Sequence, residues 1–361
     1  MSALSALFFA AGLICLIGGA EILVRGASRL AALFGVSSLI IGLTVVAYGT
    51  GSPELAVALH ASTVGQVDLA VGNVVGSNIF NVLFILGLSA LVRPLVVHDQ
   101  LVRIDVPIMI LASGLLFFLS LDGTIGTVDG LGMIAMIVGY TYLLLQLGRR
   151  QRAVAIGGAI PINGTGGRLA WIRHLVYIAA GVILLIIGSR WLVNGAVDLA
   201  NAFGVSELVI GLTIVAAGTS LPEVATSVVA GLRGERDIAV GNVVGSNIYN
   251  ILAVLGAAAL VSPTGLAVAP AALRFDIPVM VVVAIACLPI FFATATITRW
   301  EGAIFFGYWV AYTLYVILAA SQHDMVDEYG SVMTWFVIPL TVITLAVVLS
   351  RAAKGRNRRP G

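Results

Sequence analysis

The chain has 361 residues, 60% of them hydrophobic and only 10% charged, with a net charge of +2 and a mean hydropathy of +1.09. A soluble domain carries about 25% charged residues, so a soluble enzyme or a nucleic-acid-binding module is excluded and an integral membrane protein is left. The two cysteines, Cys15 and Cys287, stand far apart in apolar runs, which excludes a disulfide framework and a thiolate metal site.

Apolar runs of about 20 residues, the length that crosses a bilayer, fall at 4–33, 37–64, 68–92, 104–121, 125–147, 174–203, 206–231, 238–261, 275–293, 299–320 and 332–350. The first run lacks a basic leader and a cleavage site and continues past Glu21 and Arg25, so it reads as a retained span. The sixth is long like the first, and both need to tilt or project from the bilayer. The polar, basic stretch 148–172 reads as a linker between two halves, and 321–331 as a short loop before a last span.

The halves repeat. At an offset of 169 residues, GLTVVAYGTGSPELAV (42–57) matches GLTIVAAGTSLPEVAT (211–226) at ten of sixteen positions, and DLAVGNVVGSNIFN (68–81) matches DIAVGNVVGSNIYN (237–250) at twelve of fourteen. The expected fold is therefore an all-α polytopic membrane protein: an inverted repeat of two five-helix units, 1–147 and 173–320, with an extra span and basic tail in 321–361. Five is odd, so the second unit must cross in the opposite sense. With the N-terminus outside, 17 of the 19 Lys and Arg fall on the inner side, leaving Arg190 and Arg274; that is a strong positive-inside bias. Arg25 and Arg29 become Asn194 and Asp198 in the second copy, as the inversion requires. Inverted repeats build secondary transporters, with a midplane site made from broken helices.

Each copy carries one Pro-Glu pair in the apolar centre, Pro53-Glu54 and Pro222-Glu223. A charge at that depth costs roughly 2.5–3.5 kcal/mol. The proline opens the helix and is expected to free the carbonyls of Ala47 to Thr50 and Ala216 to Thr219. Carboxylates, carbonyls, hydroxyls and amides are the oxygen ligands of hard cations. The stripes Asn73, Ser77, Asn81 and Asn242, Ser246, Asn250 run at i, i+4, i+8 along one helix face, and Thr50, Thr219 and Ser220 add hydroxyls.

A structural role is preferred elsewhere. The GxxxG pairs Gly72/Gly76 and Gly241/Gly245 read as packing, Asp68 and Asp237 as N-caps, Asp105 and Asp276 as interface or cap residues, and His60 as packing or interfacial. Glu21 and Arg190, repeat mates of opposite sign, also read as structural, with Glu21 alternatively on an ion path.

The paired GTGSPE and GTSLPE, each followed by VGNVVGSNI(F/Y)N, resemble the two alpha-repeats of the cation/calcium antiporter superfamily, in particular the prokaryotic sodium/calcium exchangers. The resemblance spans about 4–320. It implies that Glu54 and Glu223 chelate Ca²⁺ with Thr50 and Thr219, which use their backbone carbonyls. It implies that the Ala47 and Ala216 carbonyls with Ser77, Ser246 and Ser220 line Na⁺ positions, and that Asn81 and Asn250 hold the middle. It also implies that the long first and sixth helices slide across the core to switch access. Copy one departs from the usual GTSLPE, because Gly51 lacks the hydroxyl that Ser220 keeps. One Na⁺ position is then weaker unless Ser52 compensates. Asn at both 81 and 250, where some relatives carry Asp, argues against K⁺ co-transport.

The expected function is Na⁺/Ca²⁺ antiport by alternating access, with H⁺/Ca²⁺ antiport as the alternative and a cation channel behind it. No enzyme activity and no bound cofactor beyond the transported ions are expected. The partners are Ca²⁺, Na⁺ and the lipid bilayer, with no nucleic acid and the oligomeric state left open. The expected location is the cell (inner) membrane, with the C-terminus cytoplasmic.

Overall fold

The computed structural model describes residues 3–157 and 170–323, together with 326, 330 and 331. The expected eleventh span 332–350 and the basic tail lie outside the described residues, as does most of the linker. Twelve helices appear in order: α1 Ala3–Phe34, α2 Ser38–Thr50, α3 Ser52–Thr63, α4 Val67–Val92, α5 Leu101–Leu119, α6 Thr127–Gly157, α7 Ala170–Ala202, α8 207–218, α9 Leu221–Arg233, α10 Arg236–Val261, α11 272–294 and α12 Arg299–Ala320. Eight are long and apolar enough to cross a bilayer; the pairs α2–α3 and α8–α9 bend by 45° and 66° at their breaks, which makes up to ten spans if each pair is one.

The second six helices repeat the first six in kind and order. Two-residue strands tie the copies together: β1 Leu95–Val96 pairs antiparallel with β4 Thr296–Ile297, and β2 Thr124–Ile125 with β3 Leu266–Ala267. α4 and α10 occupy the centre and are buried over most of their surface, whereas α12 is buried hardly at all. Leu111, Phe118, Val128, Val138, Ile183 and Val282 point outward from the surrounding helices, the arrangement expected where the solvent is lipid.

The repeat-equivalent α1 and α7 pack along their length. Gly12 abuts Gly188 and Leu192, Gly19 abuts Gly181 and Leu185, and Gly26 abuts His174 and Ile178. Numbers rise on one helix as they fall on the other, so the two run antiparallel.

The copies differ in how they close. α2 packs on α10, where Gly245 lies so near that a Cβ would sit 2.6 Å from the Leu43 carbonyl oxygen; at the equivalent Gly76 and Gly72 of α4 a Cβ would meet nothing within 4 Å. The expected packing role therefore holds for the second GxxxG only, because α8 stands away from α4. Leu39, Ile41, Leu43, Val46 and Ala47 of α2 are accordingly buried, while Gly211, Val215 and Ala216 of α8 are exposed.

Polar bonds fasten the closed end. Arg233 forks onto Glu21, Nε to Oε2 at 2.8 Å and Nη2 to Oε1 at 2.5 Å; Arg25 joins Glu21, and Ser28 donates to Glu235 at 2.6 Å. Arg190, the repeat mate of Glu21, is exposed and has no ion-pair partner among the described residues. Glu21 thus has the structural role expected of it. Because this pair is partly solvated, Arg233→Ala is expected to cost about 0–1 kcal/mol, read as a small drop in melting temperature in detergent.

Three aspartate expectations change. α4 begins after Gln66 and α10 after Glu235, neither of which caps by its side chain, so Asp68 and Asp237 sit inside the first turn and complement the helix dipole instead. Asp105 caps nothing either. It is fully buried within a continuous helix and accepts hydrogen bonds from Tyr140 Oη (2.9 Å) and Gln100 Nε2 (3.2 Å). Its repeat mate Asp276 accepts from Tyr312 at 2.8 Å. Each pair bolts α5 or α11 to the last helix of its unit.

Candidate cation site

The site lies where the two helix breaks meet α4 and α10. Four π-turns flank it at repeat-equivalent places: Gly42–Val46 and Gly211–Val215 before the breaks, Asn81–Leu86 and Asn250–Leu255 within α4 and α10. A π-turn shifts the helix register by one residue and concentrates at functional sites. Pro53 and Pro222 stand at the start of α3 and α9, where a missing amide proton costs nothing. Glu54 and Glu223 fall in the first turns of those helices, at the positive end of the dipole. Both are 1% exposed.

The break leaves fewer open carbonyls in copy one than the sequence suggests. Ala47 O accepts from Gly51 N (2.9 Å), and the Ser52 hydroxyl donates back to the carbonyls of Tyr48 (3.2 Å) and Gly49 (2.8 Å). Ser52 therefore does not stand in for the hydroxyl missing at Gly51. In copy two Ser220 N bonds Ala217 O at 3.2 Å, a tighter turn that bypasses Ala216 O. Ser189 of α7 donates to Gly218 O at 2.5 Å, which ties the long helix to this break.

The carboxylates are held by the opposite copy. Ser220 Oγ donates to Glu54 Oε1 at 3.0 Å and lies 3.1 Å from Ser77 Oγ. Thr219 lies beside Glu54 and Thr50 beside Glu223. Thr50 Oγ1 also reaches Asn242 Oδ1 (3.2 Å) and Thr219 Oγ1 reaches Asn73 Oδ1 (3.4 Å). Asn81 Nδ2 donates to Asn247 Oδ1 (2.9 Å) and Asn250 Nδ2 to Asn78 Oδ1 (3.2 Å), while Asn78 and Asn247 exchange bonds with each other's backbone carbonyls. Asn78 and Asn247 escaped the sequence reading. They lie one position off the polar stripe, and their presence in both copies of GSNI(F/Y)N was the available signal.

This network has a chemical consequence. With their amide nitrogens engaged, Asn81 and Asn250 turn their oxygens the other way. Asn81 Oδ1, Asn250 Oδ1, Glu54 Oε2, Glu223 Oε2 and Ser246 Oγ are all buried without a hydrogen-bond partner. A buried polar atom left unpaired costs about 1–3 kcal/mol, and more for a charged group. Four of the five are acceptors only, and a cluster of acceptors lacking donors is satisfied by a cation. No group of three or more His, Cys, Asp or Glu side chains is positioned for a metal among the described residues, so a cation here must draw on amide and hydroxyl oxygens beside the two carboxylates. Of the eleven residues singled out from the sequence, Glu54, Glu223, Thr50, Ser77, Ser220, Ser246, Asn81, Asn250 and Ala47 are buried at this junction, Thr219 is half-buried and Ala216 is exposed.

Two helix breaks at repeat-equivalent places, each followed by a buried carboxylate in the first helical turn, make this junction the candidate site of a membrane cation transporter. The sodium/calcium exchanger protein family model matches residues 4–146 and 173–318, and the chain belongs to that family. It is 40% identical over 281 residues to the inner membrane protein YrbG of Escherichia coli (strain K12), covering 76% of this chain and 84% of the relative. It is 32% identical over 335 residues to the sodium/calcium exchanger MaX1 of Methanosarcina acetivorans, covering 83% and 95%. Among solved structures it resembles the sodium-calcium exchanger NCX_Mj soaked without Na⁺ and Ca²⁺, with a TM-score of 0.74, 30% identity and coverage of 89% of this chain and 99% of that one. The protein is a multi-pass membrane protein of the cation/Ca²⁺ antiporter class.

Proposed function

We propose that this chain exchanges Na⁺ for Ca²⁺ by alternating access, with Glu54 and Glu223 as the charged ligands and Asn81, Asn250, Thr50, Thr219, Ser77, Ser220, Ser246 and the carbonyls of Ala47 and Ala216 around them. The observation that carries it is the set of buried, partnerless acceptor oxygens contributed by both repeats. Two carboxylates neutralise one Ca²⁺ or two monovalent ions. Empty, they repel one another and hold the site open to water; loaded, the charge is balanced and the site can cross a low-dielectric state. Exchange is thereby obligatory and needs no nucleotide or resident cofactor.

The difference in closure supports alternating access. α2 lies sealed on α10 while α8 stands off α4. With the N-terminus outside and the repeat inverted, as the basic residues favour, the sealed end is cytoplasmic and the open end external. The charged bonds of Glu21 with Arg233 and of Ser28 with Glu235 then lock the inner side. Switching would bring α8 onto Gly72 and Gly76 and lift α2 from Gly241 and Gly245.

The test is Ca²⁺ uptake into proteoliposomes. An outward Na⁺ gradient at fixed pH is expected to drive uptake well above the rate without a gradient, and a pH gradient at fixed Na⁺ is not. Uptake driven by the pH gradient alone would assign the site to protons; ion flux at channel rates would remove the antiport reading.

A further inference from the structure

Resting on the Na⁺-coupled reading above, we propose that Tyr48 and Tyr249 form a specificity-determining pair that removes one monovalent-cation position from the Glu223 half of the site.

The repeat relates Gly51 to Ser220, Glu223 to Glu54, Ser246 to Ser77, Tyr48 to Ala217 and Tyr249 to Phe80. In the Glu54 half, the Ser220 hydroxyl bridges Glu54 and Ser77 at 3.0 and 3.1 Å. The corresponding bridge between Glu223 and Ser246 would come from residue 51, which has no side chain. Glu223 Oε2 and Ser246 Oγ are both left without partners.

The Tyr249 ring crowds the place of the missing group. A Cβ on Gly51 would lie 3.0 Å from Tyr249 Cδ1, 3.1 Å from Cε1 and 3.1 Å from the Ala47 carbonyl oxygen, closer than ordinary van der Waals contact, and of these neighbours the ring is the side chain that can give way. The ring is stacked on Tyr48 with centroids 4.7 Å apart and planes 25° apart. Tyr48 is itself anchored, with its hydroxyl 2.8 Å from Thr141 Oγ1. Thr141 gives its only proton to the Ile137 carbonyl at 2.8 Å, so Tyr48 is the donor. The other copy keeps the matching threonine, Thr313, but offers Ala217 where Tyr48 stands, so nothing there can make the tether. Phe80, the mate of Tyr249, stacks instead on Phe84 with centroids 4.5 Å apart. Positions 48, 51 and 249 thus differ from their mates as a set, and the outcome is an apolar ring where the other half has an oxygen. A cation stripped of water needs every oxygen replaced, so the Glu223 half is the poorer position for Na⁺, while Ca²⁺ retains both carboxylates.

The experiment gives each of the three positions the residue of its repeat mate. Tyr48→Ala/Gly51→Ser/Tyr249→Phe is reconstituted beside the unmodified chain, and Ca²⁺ efflux is titrated with external Na⁺. Half-saturating Na⁺ is expected to fall by about tenfold, the worth of one regained contact to a charged group. The Hill coefficient for Na⁺ is expected to rise, and half-saturating Ca²⁺ to stay within about twofold on the same scale. Should the triple variant fail to reconstitute, Tyr48→Phe/Gly51→Ser decides, since it cuts the Thr141 tether and restores the hydroxyl without emptying position 48; it is expected to lower half-saturating Na⁺ without moving that for Ca²⁺. Unchanged Na⁺ dependence in whichever variant reconstitutes overturns the proposal alone. Exchange by the unmodified chain driven by protons and indifferent to Na⁺ overturns both it and the Na⁺-coupled reading.

Discussion

Glu54→Gln and Glu223→Gln are each expected to abolish gradient-driven Ca²⁺ uptake. Glutamine keeps the shape and one oxygen but removes the charge. Leaving one member of a buried charge set uncompensated costs about 3–5 kcal/mol, which is on the order of a hundredfold to a few thousandfold in Ca²⁺ affinity. The two variants are not expected to be equivalent. Glu54 is bridged to Ser77 by Ser220, so Glu54→Gln also disturbs a hydrogen-bonded oxygen and exposes Ser220 to a new donor. No serine bridges Glu223 to Ser246, whose Oγ is left without a partner; Thr50 stands beside Glu223, so replacing Glu223 should relieve the repulsion between the carboxylates while disturbing the network less. Glu223→Gln is therefore expected to match or exceed the parent in thermal stability without Ca²⁺, and to lose the stabilisation that Ca²⁺ confers on the parent. Isothermal titration and melting curves in detergent, with and without Ca²⁺, measure both. Calcium-dependent stabilisation of either variant equal to the parent's would remove that carboxylate from the site.

The parts of the fold readable from sequence were those where a membrane narrows the choices. A span must satisfy its own backbone in lipid, so apolar length locates the helices, and the 169-residue repeat places Glu54 and Glu223 in equivalent positions. What stayed hidden depends on contact between the copies. Asn78 and Asn247 bond each other across the junction, and no helical period within one copy reveals that. The Ser52 hydroxyl turns back onto Tyr48 and Gly49, a local competition for carbonyls that closes oxygens a proline was expected to free. The role of Gly51 was visible only as a lost hydroxyl. That Tyr249 fills its place required the packing of α10 against α2. Asp105 looked like a terminal residue because proline follows two positions later, yet the helix begins earlier, at Leu101, through a π-turn. The GxxxG motifs are identical in sequence and unequal in structure, since one copy is closed and the other open.

That inequality yields the second large effect, a pair of opposite outcomes from one substitution. Gly245→Val places a side chain where even a Cβ would lie 2.6 Å from the Leu43 carbonyl oxygen and 2.8 Å from Leu43 Cα. Backbone cannot yield as a flexible side chain can, so α2 must leave α10; overpacking of this kind costs about 1–3 kcal/mol. Gly76→Val meets nothing within 4 Å and is expected to leave the described state undisturbed. It would obstruct the alternate state, in which α8 closes on α4. Both variants should therefore lose most exchange, Gly245→Val by disfavouring the state with α8 open and Gly76→Val by trapping it. Thiol labelling separates them. With Cys15 replaced and a reporter introduced as Val215→Cys on the exposed face of α8, a membrane-impermeant reagent added outside should label the Gly76→Val protein at least as fast as the parent and the Gly245→Val protein more slowly. A shift of 1.4 kcal/mol in a two-state balance is about tenfold in population, large enough to read as a rate. Equal labelling in both variants would mean that α2 and α8 do not exchange roles, and alternating access through these two breaks would have to be abandoned.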